Sequence, residues 1–336
     1  MRGARDETRV LPLRRREFIT GIVVAIAEWS LCAQAQDQKA WRVSHVLLGT
    51  KDVVGHLAIT FEQRLIELGY TPGKDVILVH QFTAPKDIEA TVRTALSNAD
   101  LLIVWTTLGA VTAKKATSTI PVVFLGVGAP VDLQLVESLA HPGGNMTGVT
   151  FEAASETYAK RLQILADIVP NLTRVAVLRT IGDRNVAFGM ASIERSAPQL
   201  GITLVPVDIH SPDGLPTAFA AMTSSNAQAL IVVSSALAYT LTKRTAELAL
   251  EHGLPSCHPF RETVAAGGLV SLGPDVVEIA RQGAIYVDKI IKGAEPSKLP
   301  VQQPSRYEMH LNLKTAKALG LTLPPSLLAR ADEVIE

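Results

Sequence analysis

Cysteine is almost missing from this sequence: Cys32 and Cys257 are the only two among 336 residues. If Cys32 leaves with a leader, as argued below, the mature chain holds one thiol and no internal disulfide. A single cysteine in an apolar stretch reads as inert core. A nucleophile would need a histidine and an orienting acid near it in space. His258 is its neighbour in sequence, but adjacent residues of a strand point to opposite faces. Aromatic residues are scarce at 5 % and charged ones amount to 19 %. Neither sign of charge is in excess, Lys+Arg and Asp+Glu each totalling 32, so the footprint expected of a nucleic-acid or anionic-membrane partner is absent.

Catalytic and cofactor signatures are missing too. No G-x-G-x-x-G follows the first expected strand, and Gly126-Val127-Gly128 runs on into Ala129-Pro130 without a third glycine, which excludes a dinucleotide fingerprint. There is no phosphate-cradling P-loop and no G-x-S-x-G elbow. The eight histidines, His45, His56, His80 and His310 among them, never fall at metal-ligand spacing with cysteines or carboxylates. No cofactor, no metal and no enzyme are expected.

What is present suggests an exported α/β protein. Arg14-Arg15-Arg16 is followed by Glu17-Phe18-Ile19, a short apolar stretch through Ala27, and the small-x-small site Ala33-Gln34-Ala35. Basic start, apolar middle and small-residue end define a cleavable signal over residues 1–35, and Arg-Arg-x-Phe-Ile resembles the twin-arginine type. An apolar run of roughly ten residues is half the ~20 that a spanning helix needs. The expected location is the periplasm.

Past Trp41 the chain alternates strands and helices. Strands are expected at Val43–Leu48, Asp75–Val79, Leu101–Trp105 and Pro121–Leu125, then at Arg174–Leu178, Thr203–Val207 and Ala229–Val233. Helices fall between, over Leu57–Leu68, Ile88–Leu96 and Asn185–Leu200 among others. With 336 residues and 47 % hydrophobic content, two βαβ halves make two doubly wound parallel-sheet lobes. Ligands of open α/β sheets bind at the carboxyl ends of strands. Here those loops are Gly49-Thr50, Thr106-Thr107, Gly126-Val127-Gly128, Gly182-Asp183 and Ser234-Ser235, furnished with hydroxyls and glycines rather than catalytic groups.

Longer motifs then become specific. Residues 265–275 (AAGGLVSLGPD) resemble the AGGLxSYGPD signature of a bacterial ABC-transporter substrate-binding family. Residues 286–293 (YVDKIIKG), 299–304 (LPVQQP), 312–321 (NLKTAKALGL), 324–328 (PPSLL) and 139–148 (LAHPGGNMTG) are similar to further segments of it, as is the RRREFI opening. The resemblance implies a type I periplasmic binding protein fold whose chain crosses between lobes three times, near Thr147–Ser155, Leu272–Pro274 and Val301–Arg306. Lobe 1 is then 41–149 plus 274–300, and lobe 2 is 150–273 plus 303–336. The implied role is capture of an amino acid or aromatic acid for a separately encoded permease and ATPase, the binder itself being monomeric.

Thr106, Thr107 and Gly128 are expected to form one wall of the cleft, and Gly49 and Thr50, in the loop Gly49-Thr50-Lys51, are further candidate contacts. Asp183, Ser234 and Ser235 form the other, Asp183 facing an ammonium group. Helix starts after Thr107, Gly128 and Ser235 offer N–H groups to a carboxylate. Arg261, Glu262 and Ser271 complete the candidate contacts. Departures cluster nearby: Ala129 stands where the family signature has Asp, two glycines are replaced around Asp132 and Gln134, and Leu272 replaces a Tyr. The pocket is therefore expected to differ from those of aromatic amino acid binders. A solute sensor docking on a membrane receptor, or an exported α/β enzyme, are the other readings of the same chain.

Overall fold

A computed structural model describes residues 40–152, 156–183 and 185–336. The expected export signal lies outside these residues. Among them, no helix is long and apolar enough to cross a membrane.

Five strands form the first sheet: β1 (Trp41–Leu48), β2 (Val76–Thr83), β3 (Leu101–Trp105), β4 (Val122–Val127) and β5 (Met146–Thr150). Their order is β2-β1-β3-β4-β5 and every pair is parallel. Helices α1 (Lys51–Glu67), α2 (Ile88–Leu96) and α3 (Thr106–Ala116) join them. Val43, Leu47, Ile103 and Leu125 pack with Phe61 and Leu65 of α1, whereas Val46, Leu102, Val104 and Phe124 pack with Val92 of α2 and Ala113 of α3. With both faces covered, β3 has no polar side and its sequence is one apolar run. The first helix starts six residues before the expected Leu57, because Gly55 inside it weakens the local helical signal.

The second sheet holds β6 (Arg174–Thr180), β7 (Thr203–Ile209), β8 (Ala229–Val232), β9 (Ser256–His258), β10 (Val270–Gly273), β11 (Glu308–Asn312) and β12 (Glu333–Ile335), in the order β12-β11-β10-β9-β8-β6-β7. Around it lie α4 (Glu156–Ile168), α5 (Asn185–Ser196), α6 (Leu215–Ser224), α7 (Ala236–Thr240), α8 (Thr242–Glu251) and α9 (Arg261–Ala265). One feature departs from the all-parallel expectation: β10 and β11 pair antiparallel. β11 is not reached by a crossover within its own lobe. The chain leaves β10, lays α10 (Val276–Ile291) on the first sheet, bridges Gln302 to Val149 of β5, and only then enters β11. The rule that makes βαβ connections parallel therefore does not act on it. Helices α11 (Leu313–Ala318) and α12 (Pro325–Leu328) precede β12.

The chain thus passes between the sheets three times: after β5, between β10 and α10, and between Gln302 and β11. Asp275 caps α10 by accepting from the Val277 N–H at 2.8 Å. Ile279, Ala280, Ala284, Val287 and Ile290 then recur at helical spacing and bury one stripe. Gly283 lets that stripe approach closely, since a Cβ there would meet the Leu125 side chain at 2.7 Å.

In the second sheet Cys257 is fully buried and His258 is 1 % exposed. Burial pushes the Cys257 thiol up to about 12, so it stays protonated and unreactive at neutral pH. Burial, assisted by the Arg161 charge, pulls His258 down to about 3. The unfolded chain accepts this proton near pH 6.5 and the folded one does not until about pH 3. Between those values the unfolded state binds more protons, so stability falls with falling pH. We expect a loss of about 2 kcal/mol from pH 7.5 to pH 5 that is removed by His258→Asn, read as the difference between urea-unfolding free energies of the two proteins.

Candidate functional site

The carboxyl ends of β1, β3, β4 and β5 face those of β6 and β8 across a cavity of about 70 Å³. That is several times the space one water occupies and less than the ~150 Å³ that admits benzene. As it stands, the cavity has room for only a few heavy atoms. Much of the lining is aromatic: Trp105 ends β3, Phe151 follows β5 at the first passage between sheets, and Tyr239 and Phe260 come from the second-sheet side. Phe260 ties the group together, with ring centroids 5.3 Å from Phe151 and 4.9 Å, edge-on, from Tyr239.

On one wall β3 turns into α3 without a loop, and Thr106 takes the turn at φ 68°. A β-branched residue rarely adopts that conformation. Its Oγ1 is buried and has no partner. Strain and an unsatisfied hydroxyl at one residue are both unfavourable for folding, and such features gather at binding sites. Because α3 begins there, its first N–H groups open at the cavity.

The opposite wall is a buried polar network. Glu152 and Arg161, each 0 % exposed, form an ion pair through Arg161 Nη2 and Glu152 Oε1. Arg161 Nε donates to the Leu272 carbonyl at 2.7 Å, and its guanidinium lies over the Tyr158 ring. The Ser234 hydroxyl donates to Glu152 Oε2 at 3.0 Å, accepts from Asn185 Nδ2 at 2.9 Å, and meets the Tyr158 hydroxyl at 2.5 Å. Those three partners exhaust what a serine hydroxyl can bond. Asn185, the first residue of α5, is thereby held by its amide nitrogen, while its Oδ1 is buried without a partner. That oxygen abuts the other lobe at Gly128, where an added Cβ would lie 2.0 Å from it.

Of the residues expected from sequence, Thr106, Thr107, Asp183, Ser234 and Ser235 line the cavity. Asp183 is half-buried, and burial raises its carboxyl above the usual range despite the Asn185 and Ala236 N–H groups beside it. Ser235 caps α7, accepting from Ala238 N–H at 2.9 Å and meeting Thr180 Oγ1 at 2.8 Å. Ser234 lines the cavity with its hydroxyl fully engaged, so it positions Asn185. Gly128, expected on the wall, does not line the cavity and lies against Asn185 instead, with Gly126 in the lining. Gly49 sits off the cavity against Val54 and Thr240, with Thr50 exposed beside it.

Arg261, Glu262 and Ser271 are not brought to the cavity. Arg261 opens the short helix α9 and turns to pair with Asp275 at 3.4 Å. Glu262, its carboxyl pushed up by burial, accepts from the Tyr239 hydroxyl at 3.4 Å, and that hydroxyl also meets His56 Nε2 of α1 at 3.2 Å. Ser271 is held mid-sheet between His258 and His310. The helix expected after Gly128 is replaced by turns, because Ala129 (φ 43°) and Gln134 (φ 55°) are left-handed. Sequence reasoning missed Asn185, Glu152, Arg161 and the four rings. Only Asn185 carried a signal, standing two residues after Asp183 at a helix start.

The family model of ABC transporter substrate binding proteins matches residues 57–335. A tyrosine-binding protein of Clostridioides difficile is 23 % identical over 283 residues, 82 % of this chain and 81 % of the relative. Among solved structures, a conserved domain protein from Vibrio cholerae superposes with a TM-score of 0.82 at 26 % identity, covering 88 % of this chain and 100 % of that one. An ABC domain from Streptococcus pneumoniae, solved with L-Trp, gives 0.81 at 21 % identity with the same coverage.

Proposed function

The chain belongs to the ABC transporter substrate-binding protein family, and from that premise we propose that it captures an aromatic amino acid or aromatic acid between its lobes. Capture takes place outside the cytoplasmic membrane, to which the leader directs the chain, and the loaded monomer hands its solute to a separate permease and ATPase. The observation that carries the solute class is the cavity itself. Four rings from both lobes supply flat apolar contact, and Asp183, Asn185 and Thr106 add acceptors to its lining, Asn185 Oδ1 and Thr106 Oγ1 being unpartnered. The N–H groups opening α3 suit a carboxylate, and the acceptors suit an ammonium. Relatives that bind tyrosine and L-Trp support the same class. Among the described residues the lining has no histidine, cysteine or lysine, which favours binding over catalysis.

Closure follows from contact with both lobes: a solute that touches Trp105 and Phe151 on one side and Asp183 and Tyr239 on the other binds the closed state better and shifts the population toward it. A panel of L-tyrosine, L-tryptophan, L-phenylalanine, benzoate and aliphatic amino acids tests the reading by thermal unfolding. At a hundredfold excess over Kd, a true solute raises the midpoint by about 5 °C. Asp183→Asn should abolish the shift for amines and spare that for acids without an ammonium group. No shift and no calorimetric heat across the aromatic members would sink the solute class.

A further inference from the structure

We infer that His45, hidden in the first sheet, is a positioning residue for the cleft wall, and that His80 makes its hold on Trp105 depend on a proton. The inference rests on the cleft being the solute site only for its consequence, since the bonds themselves need no solute. His45 on β1 stands directly opposite His80 on β2, and their Nδ1 atoms are 3.0 Å apart. On its other side His45 Nε2 is 2.8 Å from Nε1 of Trp105, whose ring lines the cavity.

An indole N–H only donates, so His45 Nε2 must be the acceptor. His45 is fully buried, and burial followed by the influence of His80 holds its pKa well below the usual range, so the ring is neutral. Its one proton therefore sits on Nδ1 and is donated to His80, which must be unprotonated at Nδ1. The His80 proton is left on Nε2, facing Glu62 of α1 at 3.7 Å. One tautomer at each ring satisfies the bonds from His80 Nδ1 through His45 to the Trp105 indole, while His80 Nε2 keeps no hydrogen-bond partner.

A second proton on His80 breaks this order. Its Nδ1–H would then point at the Nδ1–H of His45. His45 relieves that clash by carrying its proton on Nε2, where it meets the Trp105 N–H and the indole loses its acceptor. His80 is lowered from the usual value chiefly by burial and raised again by Glu62, so the change falls on the acidic side of neutrality. The groups facing the two rings are Glu62 from α1, Trp105 from β3 and the Phe61 ring, 5.0 Å from His45. The cleft thus loosens one aromatic wall in acid, and a bound ring that stacks there would be released.

The experiment uses the full chain with Trp29→Phe and Trp41→Phe, leaving Trp105 as its one tryptophan. Emission is followed from pH 8 to pH 4.5, with and without His80→Asn, whose amide oxygen still accepts from His45 but does not titrate. We expect a single transition below neutrality that vanishes in the Asn variant. A flat profile in the parent, or the same transition in both, overturns the proposal. Long-range nitrogen–proton NMR supplies the second measurement on the parent chain: at pH 7.5 His45 should be the Nδ1–H tautomer and His80 the Nε2–H tautomer. Either ring in the opposite form overturns it. A cleft that bound no aromatic solute would leave both readouts unchanged, so the two readings fail separately.

Discussion

Arg161→Met is expected to cost about 3–5 kcal/mol of folding stability, the largest loss from a single side chain outside the apolar core. Arg161 and Glu152 are both 0 % exposed, so removing the guanidinium leaves a carboxylate buried with no countercharge. Methionine fills much of the same volume, which keeps the cavity cost small beside the charge cost. The double variant Arg161→Met with Glu152→Leu should recover most of the loss, because no charge is then stranded. Urea unfolding of wild type, both single variants and the double variant measures the coupling. A cost below about 1 kcal/mol for Arg161→Met would mean that Glu152 is not held there as a carboxylate.

The position of this pair gives it a second consequence. Glu152 follows β5, where the chain first leaves the lower-numbered sheet, and Leu272 lies on β10, just before the chain returns. Arg161 on α4 binds both, so two of the three passages are fastened to one helix. Ser234 and Asn185 hang from Glu152 in turn. The same charge that fixes the hinge segments therefore sets the amide that meets the opposite lobe. Loss of Arg161 should disturb closure as well as stability.

This arrangement was largely invisible in the sequence, although much of its frame was legible. The apolar run of β3 and the alternation of strands with amphipathic helices follow from burial on both faces of a parallel sheet. Thr106-Thr107 and Ser234-Ser235 could be placed because open α/β sheets present their strand ends to ligand. Glu152 and Arg161 are nine residues apart on different elements, and no spacing rule brings them together. The antiparallel β11 was hidden for a similar reason, its direction being set by a segment that first visits the other lobe. Arg261 and Glu262 are expected at the cleft, yet a short helix starts there and neither side chain lines the cavity. The departures from the family signature are partly explained by the backbone. Leu272 supplies a carbonyl to Arg161, which any residue in place of Tyr can do. Ala129 sits at φ 43°, where an Asp is tolerated better than an Ala, so the structure does not explain that departure.

Gly128 leads to the last expectation, one that separates closure from folding. Gly128→Ala should leave the folding transition nearly unchanged and yet weaken solute binding by tenfold or more. The added Cβ would lie 2.0 Å from Asn185 Oδ1 and 2.8 Å from its Cγ, far inside contact distance. In a rigid core that overlap would be relieved by strain of about 1–3 kcal/mol. Under the proposed closing motion the two residues stand on lobes that separate, and the molecule then avoids the strain by staying open. The overlap then appears as a lost closed state, at one decade of affinity for each ~1.4 kcal/mol. Small-angle X-ray scattering should show a larger radius of gyration for the variant, and titration with L-tyrosine or L-tryptophan the weaker binding. Adding Asn185→Gly removes the obstacle, so the double variant should close again while still lacking the amide oxygen. Compact scattering from Gly128→Ala alone would show that Asn185 swings aside, and that closure does not depend on the fit between these two residues.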